Sequence, residues 1–281
     1  MIGPHSNPTR ARPLPTIALS LLVLLSLAPV LWLVTTSFKP AELTVTFPPQ
    51  LLPKSPTLEA YKAALGNAAF IRSFINTALF SVGATLVAIG IALPGAYAVA
   101  RLPFRGKTSL VIGLAFANMI PGVALLLPLF YLADRTGMID TYLVVIVVYA
   151  AQFMPQALWF IRTYIEAIPE ELEQAGQIDG CNRFQAFRLV TLRLITPGLA
   201  AIFVLGVMFV WNDYIVVATL TRSPEMQSVQ VRLVNELFNA IGISWATVSA
   251  YVTLSMIPIV VFFLWMQRWF VRGIAAGAMK G

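Results

Sequence analysis

Six stretches of this chain run for about nineteen residues or more without an Asp, Glu, Lys or Arg: 13–38, 73–100, 108–133, 141–161, 194–212 and 237–267. A bilayer's hydrocarbon core takes roughly 20 apolar residues of helix to cross, at about 1.5 Å of rise each. Each stretch is long enough to cross. The fifth is expected to continue past Asp213 to about Leu220, and the sixth crossing to begin near Trp245. A β-barrel would alternate apolar and polar residues in segments of about ten, and no such alternation is visible. The expectation is an all-α transmembrane fold of six helices.

Composition agrees. Hydrophobic residues make up 58% of the chain and charged ones only 11%, with a mean hydropathy of +0.80. A water-soluble domain of this size needs about 25% charged residues to cover its surface. The net charge of +7 would suggest nucleic acid in a soluble protein, but here the basic residues sit in short segments between apolar runs. Twelve of the 19 Lys and Arg fall on the side of the N-terminus and seven on the other, while acids divide five to seven. One side thus carries the whole positive charge, which places both termini in the cytoplasm. The first apolar run exceeds a secretory h-region and no A-x-A site follows it, so it reads as a span rather than a cleaved signal.

The organisation expected is a cytoplasmic tail over 1–12 and a single transmembrane domain over 13–281. Two outer segments are long. Residues 39–70 are proline-rich, with a short helix expected around Leu58 to Leu65, and 221–244 should hold an amphipathic helix around Val229 to Phe238.

Several chemistries are excluded. The one cysteine, Cys181, and the one histidine, His5, lie far apart in sequence and form neither a disulfide nor a metal set. No Ser/His pair or paired acids stand inside an apolar run, so no catalytic residue is assigned. Gly106-Lys107-Thr108 resembles the end of a phosphate-binding loop, but Arg101 stands where its first glycine is needed, and no strand precedes it. An ion-gradient transporter, the alternative, usually carries ionisable groups in mid-span or internal repeats; neither is visible.

The most informative segment is 165–193. Pro169 and the acids Glu170, Glu171 and Glu173 suit a helix start, and Gly180 suits its end. Asn182 can cap a second helix bearing Arg183, Phe184, Phe187 and Arg188. Leu172, Ala175, Gly176 and Asp179 share one side of the first helix, a narrow face of small residues that a partner protein could approach closely. A solvated linker would seldom combine these features.

This segment resembles the coupling ("EAA") loop of binding-protein-dependent ABC importer permeases. Glu171, Glu173, Ala175 and Asp179 match the sugar-importer version, Gly180 takes its glycine, and Val190 and Leu192 take the later Ile and Leu places. Gln174 stands where Glu is usual, Gly176 where Ala is usual, and Arg193 where Pro is usual. Thr36 to Pro40, Trp211 to Tyr214 and the tail from Gln267 to Gly281 are similar to the same family, the MalG-like permeases of carbohydrate ABC importers, over a core of 70–270. The resemblance implies a type I, MetI/MalG-like fold with a cytoplasmic coupling helix. It also implies a second homologous permease, two cytoplasmic ATPase subunits that bind the ATP and Mg, and an extracytoplasmic solute-binding protein delivering a sugar-like substrate. It assigns ATPase coupling to Glu171, Glu173, Gln174, Ala175, Gly176, Asp179, Gly180, Arg183 and Phe187, and ATPase contact to Gly277, Lys280 and Gly281.

Candidates for the substrate pathway are the polar or helix-breaking residues within spans. They are Asn118 and Met119 beside Pro121, Gln152 near Pro155, and Trp211, Asn212, Asp213 and Tyr214. Interhelical hydrogen bonding explains Asn118, Met119 and Gln152 equally well, and for Trp211 to Tyr214 anchoring at the outer interface or interhelical structure is the favoured reading over substrate contact. The glycines of span two, Gly83, Gly90 and Gly95, read as a close-packing face.

Overall fold

The computed structural model describes residues 13–238 and 244–278, and among these every regular element is helical. In chain order they are α1 (Pro13–Ser37), α2 (Glu59–Gly66), α3 (Ala68–Arg101), α4 (Lys107–Met119), α5 (Gly122–Arg135) and α6 (Tyr142–Glu166). There follow α7 (Glu170–Ile178), α8 (Arg183–Ala186), α9 (Leu192–Trp211), α10 (Ile215–Leu220), α11 (Val229–Phe238) and α12 (Trp245–Ala278). Among the described residues, five helical stretches are long and apolar enough to cross a membrane, 15–37, 68–101, 142–166, 183–211 and 245–264, and the bent pair α4–α5 makes the sixth expected span if it counts as one.

Two expectations are corrected. The third apolar run is not one helix: its halves meet at 93° across the break after α4. Pro121 supplies no N–H and disfavours the helical region for the residue before it, and Ile120 is extended at ψ 121°. The fifth run does not continue past Asp213 either. It ends at Trp211, and the three residues after it separate α9 from the short α10.

The described residues group by packing into two compact units: 13–66 with 244–254, and 67–238 with 255–278. In the first unit, α1 buries nothing within the chain over its apolar window. The Ser37 and Tyr61 hydroxyls meet at 2.7 Å, and Ala60, Ala246 and Ala250 pack together beside Tyr61. Lys39 is fully buried, with Nζ donating to the Gln50 carbonyl at 2.6 Å and lying 4.3 Å from the Trp32 ring centroid.

The second unit is centred on α3, α6 and α9. Asn67 caps α3, its Oδ1 accepting from the N–H groups of Ala69 and Phe70. The buried stripe of α3 is Ser81, Ala84, Thr85, Ala88, Ala92 and Ala96, small residues at helical spacing that let neighbouring backbones close in. Tyr149, Phe153, Ala157, Ile161 and Ile165 of α6 belong to the same core. The closest approaches are made by α9 glycines rather than by those of α3. A β-carbon on Gly206 would stand 2.6 Å from both Phe153 and Thr85, and one on Gly198 2.7 Å from the Tyr164 ring. Of the span-two glycines, Gly83 and Gly95 do face α6 residues, but Gly90 meets nothing.

Loops at one end of this unit are pinned by polar side chains. Asn76, fully buried on α3, donates to the carbonyls of Glu225 and Gln227 at 2.7 and 2.9 Å and accepts from the Tyr142 hydroxyl at 2.7 Å. Next to it, the Thr77 hydroxyl accepts from the Val229 N–H at 2.9 Å. Asp140, at φ 65°, accepts from the N–H groups of Arg222 and Ser223 at 2.9 and 3.1 Å. Burial pushes its carboxyl pKa up, but those donors and the nearby Arg222 charge hold it below the usual carboxylate value.

Candidate functional site

The elbow after α6 is built by three capping devices. The acids Glu170, Glu171 and Glu173 occupy the first turn of α7, where they meet the positive end of the helix. The helix ends at Asp179 with Gly180 left-handed at φ 94°; Cys181 N–H donates to the Gly176 carbonyl and Gly180 N–H to that of Gln177. Asn182 then opens α8 with a capping box, its side chain accepting from Gln185 N–H while the Gln185 side chain accepts from its own. Residues 187–191 form a π turn that runs straight into α9, so the elbow's second arm and the fifth span are one rod.

Arg101 fastens this elbow. Its Nε donates to Glu173 Oε1 at 2.8 Å, and its Nη2 donates to the carbonyls of Ile165 and Ile168 at 2.9 and 2.7 Å. Nη1 lies 3.6 Å from Glu170. One guanidinium at the end of α3 thereby satisfies carbonyls near the end of α6 and a carboxylate of α7. The other carboxylate oxygen of Glu173 accepts from the Tyr97 hydroxyl at 2.9 Å, and the Phe187 ring lies 4.6 Å from that of Tyr97. Burial raises the Glu173 pKa, but hydrogen bonds from Arg101 and Tyr97 and the guanidinium charge outweigh it and hold the carboxyl below the usual range.

The expected coupling residues thus fall into two groups. Glu173, Phe187 and Gly176 turn inward: Glu173 is 5% exposed, and a Gly176 β-carbon would touch Val190 at 3.4 Å. Glu171, Gln174, Ala175, Asp179, Gly180 and Arg183 are exposed, together with Leu172, Ile178 at 86% and Phe184 at 69%. Gln174, Gln177 and Arg183 line a polar recess of about 220 Å³ with Tyr97, Arg101 and Glu170. Gly277 lies in the last turn of α12; Lys280 and Gly281 lie outside the described residues.

The pathway candidates are spread over two places. Met119 ends α4 and is exposed, and the half-buried Gln152 amide lies 3.6 Å from where a Gly122 β-carbon would stand, beside the break in the third run. The side chain of Asn118 lies outside the described residues. Asp213 caps α10 by accepting from Val216 N–H at 2.9 Å, and it accepts from the Tyr149 hydroxyl at 2.8 Å. These bonds join α6 to the start of α10, the interhelical role that the sequence left open for Asp213. Asn212 and Tyr214 are exposed beside it. Trp211 is buried, lines an apolar cavity of about 160 Å³ between α3, α9 and α12, and its Nε1 has no partner among the described residues. Asn76 and Arg101 are not singled out by the sequence reading, though Asn76 is the one side-chain amide in the run 73–100, a signal that was available. Among the described residues no group of three His, Cys, Asp or Glu stands close enough to hold a metal ion.

The comparisons with known proteins agree with this geometry. The trehalose transport system permease protein SugB of Mycobacterium tuberculosis is 32% identical over 93% of this chain and 95% of its own length. The diacetylchitobiose uptake system permease protein DasC of Streptomyces coelicolor is 30% identical over 90% of this chain and 91% of its own. A crystal structure of a bacterial ABC transporter involved in the import of the acidic polysaccharide alginate superposes with a TM-score of 0.80 at 24% identity, covering 94% of this chain and all of that one. The family model described as the binding-protein-dependent transport system inner membrane component matches residues 88–276, and this chain belongs to that family.

Proposed function

We propose that this permease subunit of an ATP-driven importer carries a small carbohydrate, and that the α7–α8 elbow is its mechanical input. The cargo class is supported by SugB and DasC, whose names specify trehalose and diacetylchitobiose. The assembly has a second homologous permease, two cytoplasmic ATPase subunits that hold ATP and Mg, and an extracytoplasmic solute-binding protein. Both termini lie in the cytoplasm, on the side that carries the excess of Lys and Arg.

The observation that carries the elbow's role is its combination of anchoring and exposure. One side is fixed to the chain through Glu173 and Arg101, while Leu172 and Ile178 stand exposed on the same helix. Apolar side chains so exposed on a polar projection mark a surface made for a partner. The ATPase seats on that surface, and its closure moves the elbow. Arg101 passes the displacement to the ends of α3 and α6, and the continuous rod from α8 passes it to α9. The tail residues Gly277, Lys280 and Gly281 add to the same ATPase contact. Gln152 at the break, with Met119 and Asn118, lines the pathway, where unpaired backbone groups need polar company.

The test is uptake into proteoliposomes by the complete complex, with a panel of labelled sugars. ATP-dependent accumulation of one or more disaccharides is expected. Accumulation without any ATPase, driven by an ion gradient, would refute the reading. Orientation is read separately on Cys181, the chain's one cysteine. A membrane-impermeant maleimide should label it in inverted vesicles and spare it in right-side-out ones; the reverse pattern would overturn the topology.

A further inference from the structure

Where the elbow enters the membrane, Phe184, Gln185, Arg188, Leu189, Leu192, Arg193 and Thr196 line a groove of about 480 Å³. From Gln185 to Thr196 they recur every three to four residues, so they share one face of the rod. No acidic residue lines the groove, and neither Arg188 nor Arg193 has an ion-pair partner among the described residues. Both arginines are exposed.

Depth decides what such a groove can hold. Leu192 and Trp211 are separated by roughly 28 Å of helix, about the thickness of the hydrocarbon core. The exposed ring of Tyr214, just beyond the end of α9 at Trp211, suits the outer interface, where such rings concentrate. The groove then lies at the opposite boundary. A groove facing water alone has no use for Leu189 and Leu192, while one facing hydrocarbon alone would not tolerate two unpaired guanidiniums. The Thr196 hydroxyl is already donated to the Leu192 carbonyl, so anion recognition falls to the arginines.

The geometry points to a site for an anionic phospholipid. Arg188 and Arg193 grip the headgroup phosphodiester, and one acyl chain lies along Leu189 and Leu192. The inference rests on the orientation given above only for which leaflet supplies the lipid. A zwitterionic lipid offers the same phosphate but brings its own cation into the groove, so selectivity follows from charge.

The experiment uses the purified full chain in detergent, without ATP or sugar, so a failure of uptake leaves it unaffected. Dihexanoyl phosphatidylglycerol, dihexanoyl phosphatidylcholine and inorganic phosphate are titrated, and binding is read by native mass spectrometry. Phosphatidylglycerol should bind saturably, one per chain, and more weakly as salt rises, a readout that needs no variant. Arg188→Gln with Arg193→Gln should weaken it about thirtyfold, from two contacts near the surface. Arg162→Gln, which removes an ion pair with Glu166 elsewhere, should leave it unchanged. Equal binding of phosphatidylcholine, undiminished binding by the double variant, or displacement by phosphate at matching affinity would each overturn the proposal. So would a double variant that loses an ATPase on co-purification while keeping its phosphatidylglycerol affinity, since the occupant would then be an acidic protein surface.

Discussion

Arg101 and Glu173, 72 residues apart in the chain, meet at 2.8 Å with side chains only 8% and 6% exposed. Removing either leaves the other's charge buried and unpaired, which costs about 3–5 kcal/mol. Arg101→Ala and Glu173→Ala should each destabilise the detergent-solubilised chain by about that much. Their double variant should cost much less than the sum, because it leaves no orphaned charge. A thermal-unfolding cycle measures this; strict additivity would mean the pair is not coupled.

Asn76 fixes the loop before α11 by two hydrogen bonds and is itself held by a third, from the Tyr142 hydroxyl of α6. Asn76→Leu fills similar space but leaves the Glu225 and Gln227 carbonyls and the Tyr142 hydroxyl without their partner, at about 1–3 kcal/mol each where water cannot reach. Hydrogen exchange over 222–231 should quicken at least tenfold while α6 and α9 keep their protection. Unchanged exchange would show that Thr77 alone suffices.

Glycines at close approaches should respond differently from open ones. Gly206→Ala forces a methyl against Phe153 and Thr85 and should cost about 1–3 kcal/mol by overpacking. Gly90→Ala meets nothing and should be neutral or slightly stabilising, through helix propensity. Thermal midpoints of the two variants separate these outcomes.

The acid side of the stability profile follows from Asp140 and Glu173. Both have folded-state pKa values held below the usual carboxylate range. Their stabilisation is therefore fully present above about pH 5 and is lost as pH falls below the ordinary value near 4. Asp140→Asn keeps an acceptor and tolerates the left-handed backbone, so protection of the Arg222 and Ser223 amides should become nearly independent of pH between 3 and 7. A loss of protection on raising pH in the parent chain would reverse the sign and contradict the assignment.

The spans were legible because lipid enforces long charge-free runs, and the elbow because capping residues act locally: Pro169, Gly180, Asn182 and Gln185 do in the structure what their types suggest. The helices at 59–66 and 229–238 were legible for the same reason. What escaped the sequence depends on distant residues. Pro121 was visible as a breaker, but a 93° bend rather than a kink is set by what the halves pack on. Gly206 looks like any span glycine until Phe153 and Thr85 are placed against it. Asp213 looked available as a binding group, and only folding brings Tyr149 to it. Glu173 belonged to the coupling pattern, but its inward turn is fixed by Arg101, at the far end of another helix.

The most direct test of the account is on Ile178, 86% exposed at the end of α7 and not part of the Arg101 clamp. Ile178→Asp should leave the chain folded and inserted, yet lower ATPase co-purification and ATP-dependent sugar uptake by the assembled complex at least tenfold. Parental uptake by that variant, with the ATPase still bound, would contradict the claim that the elbow's apolar face is where force enters.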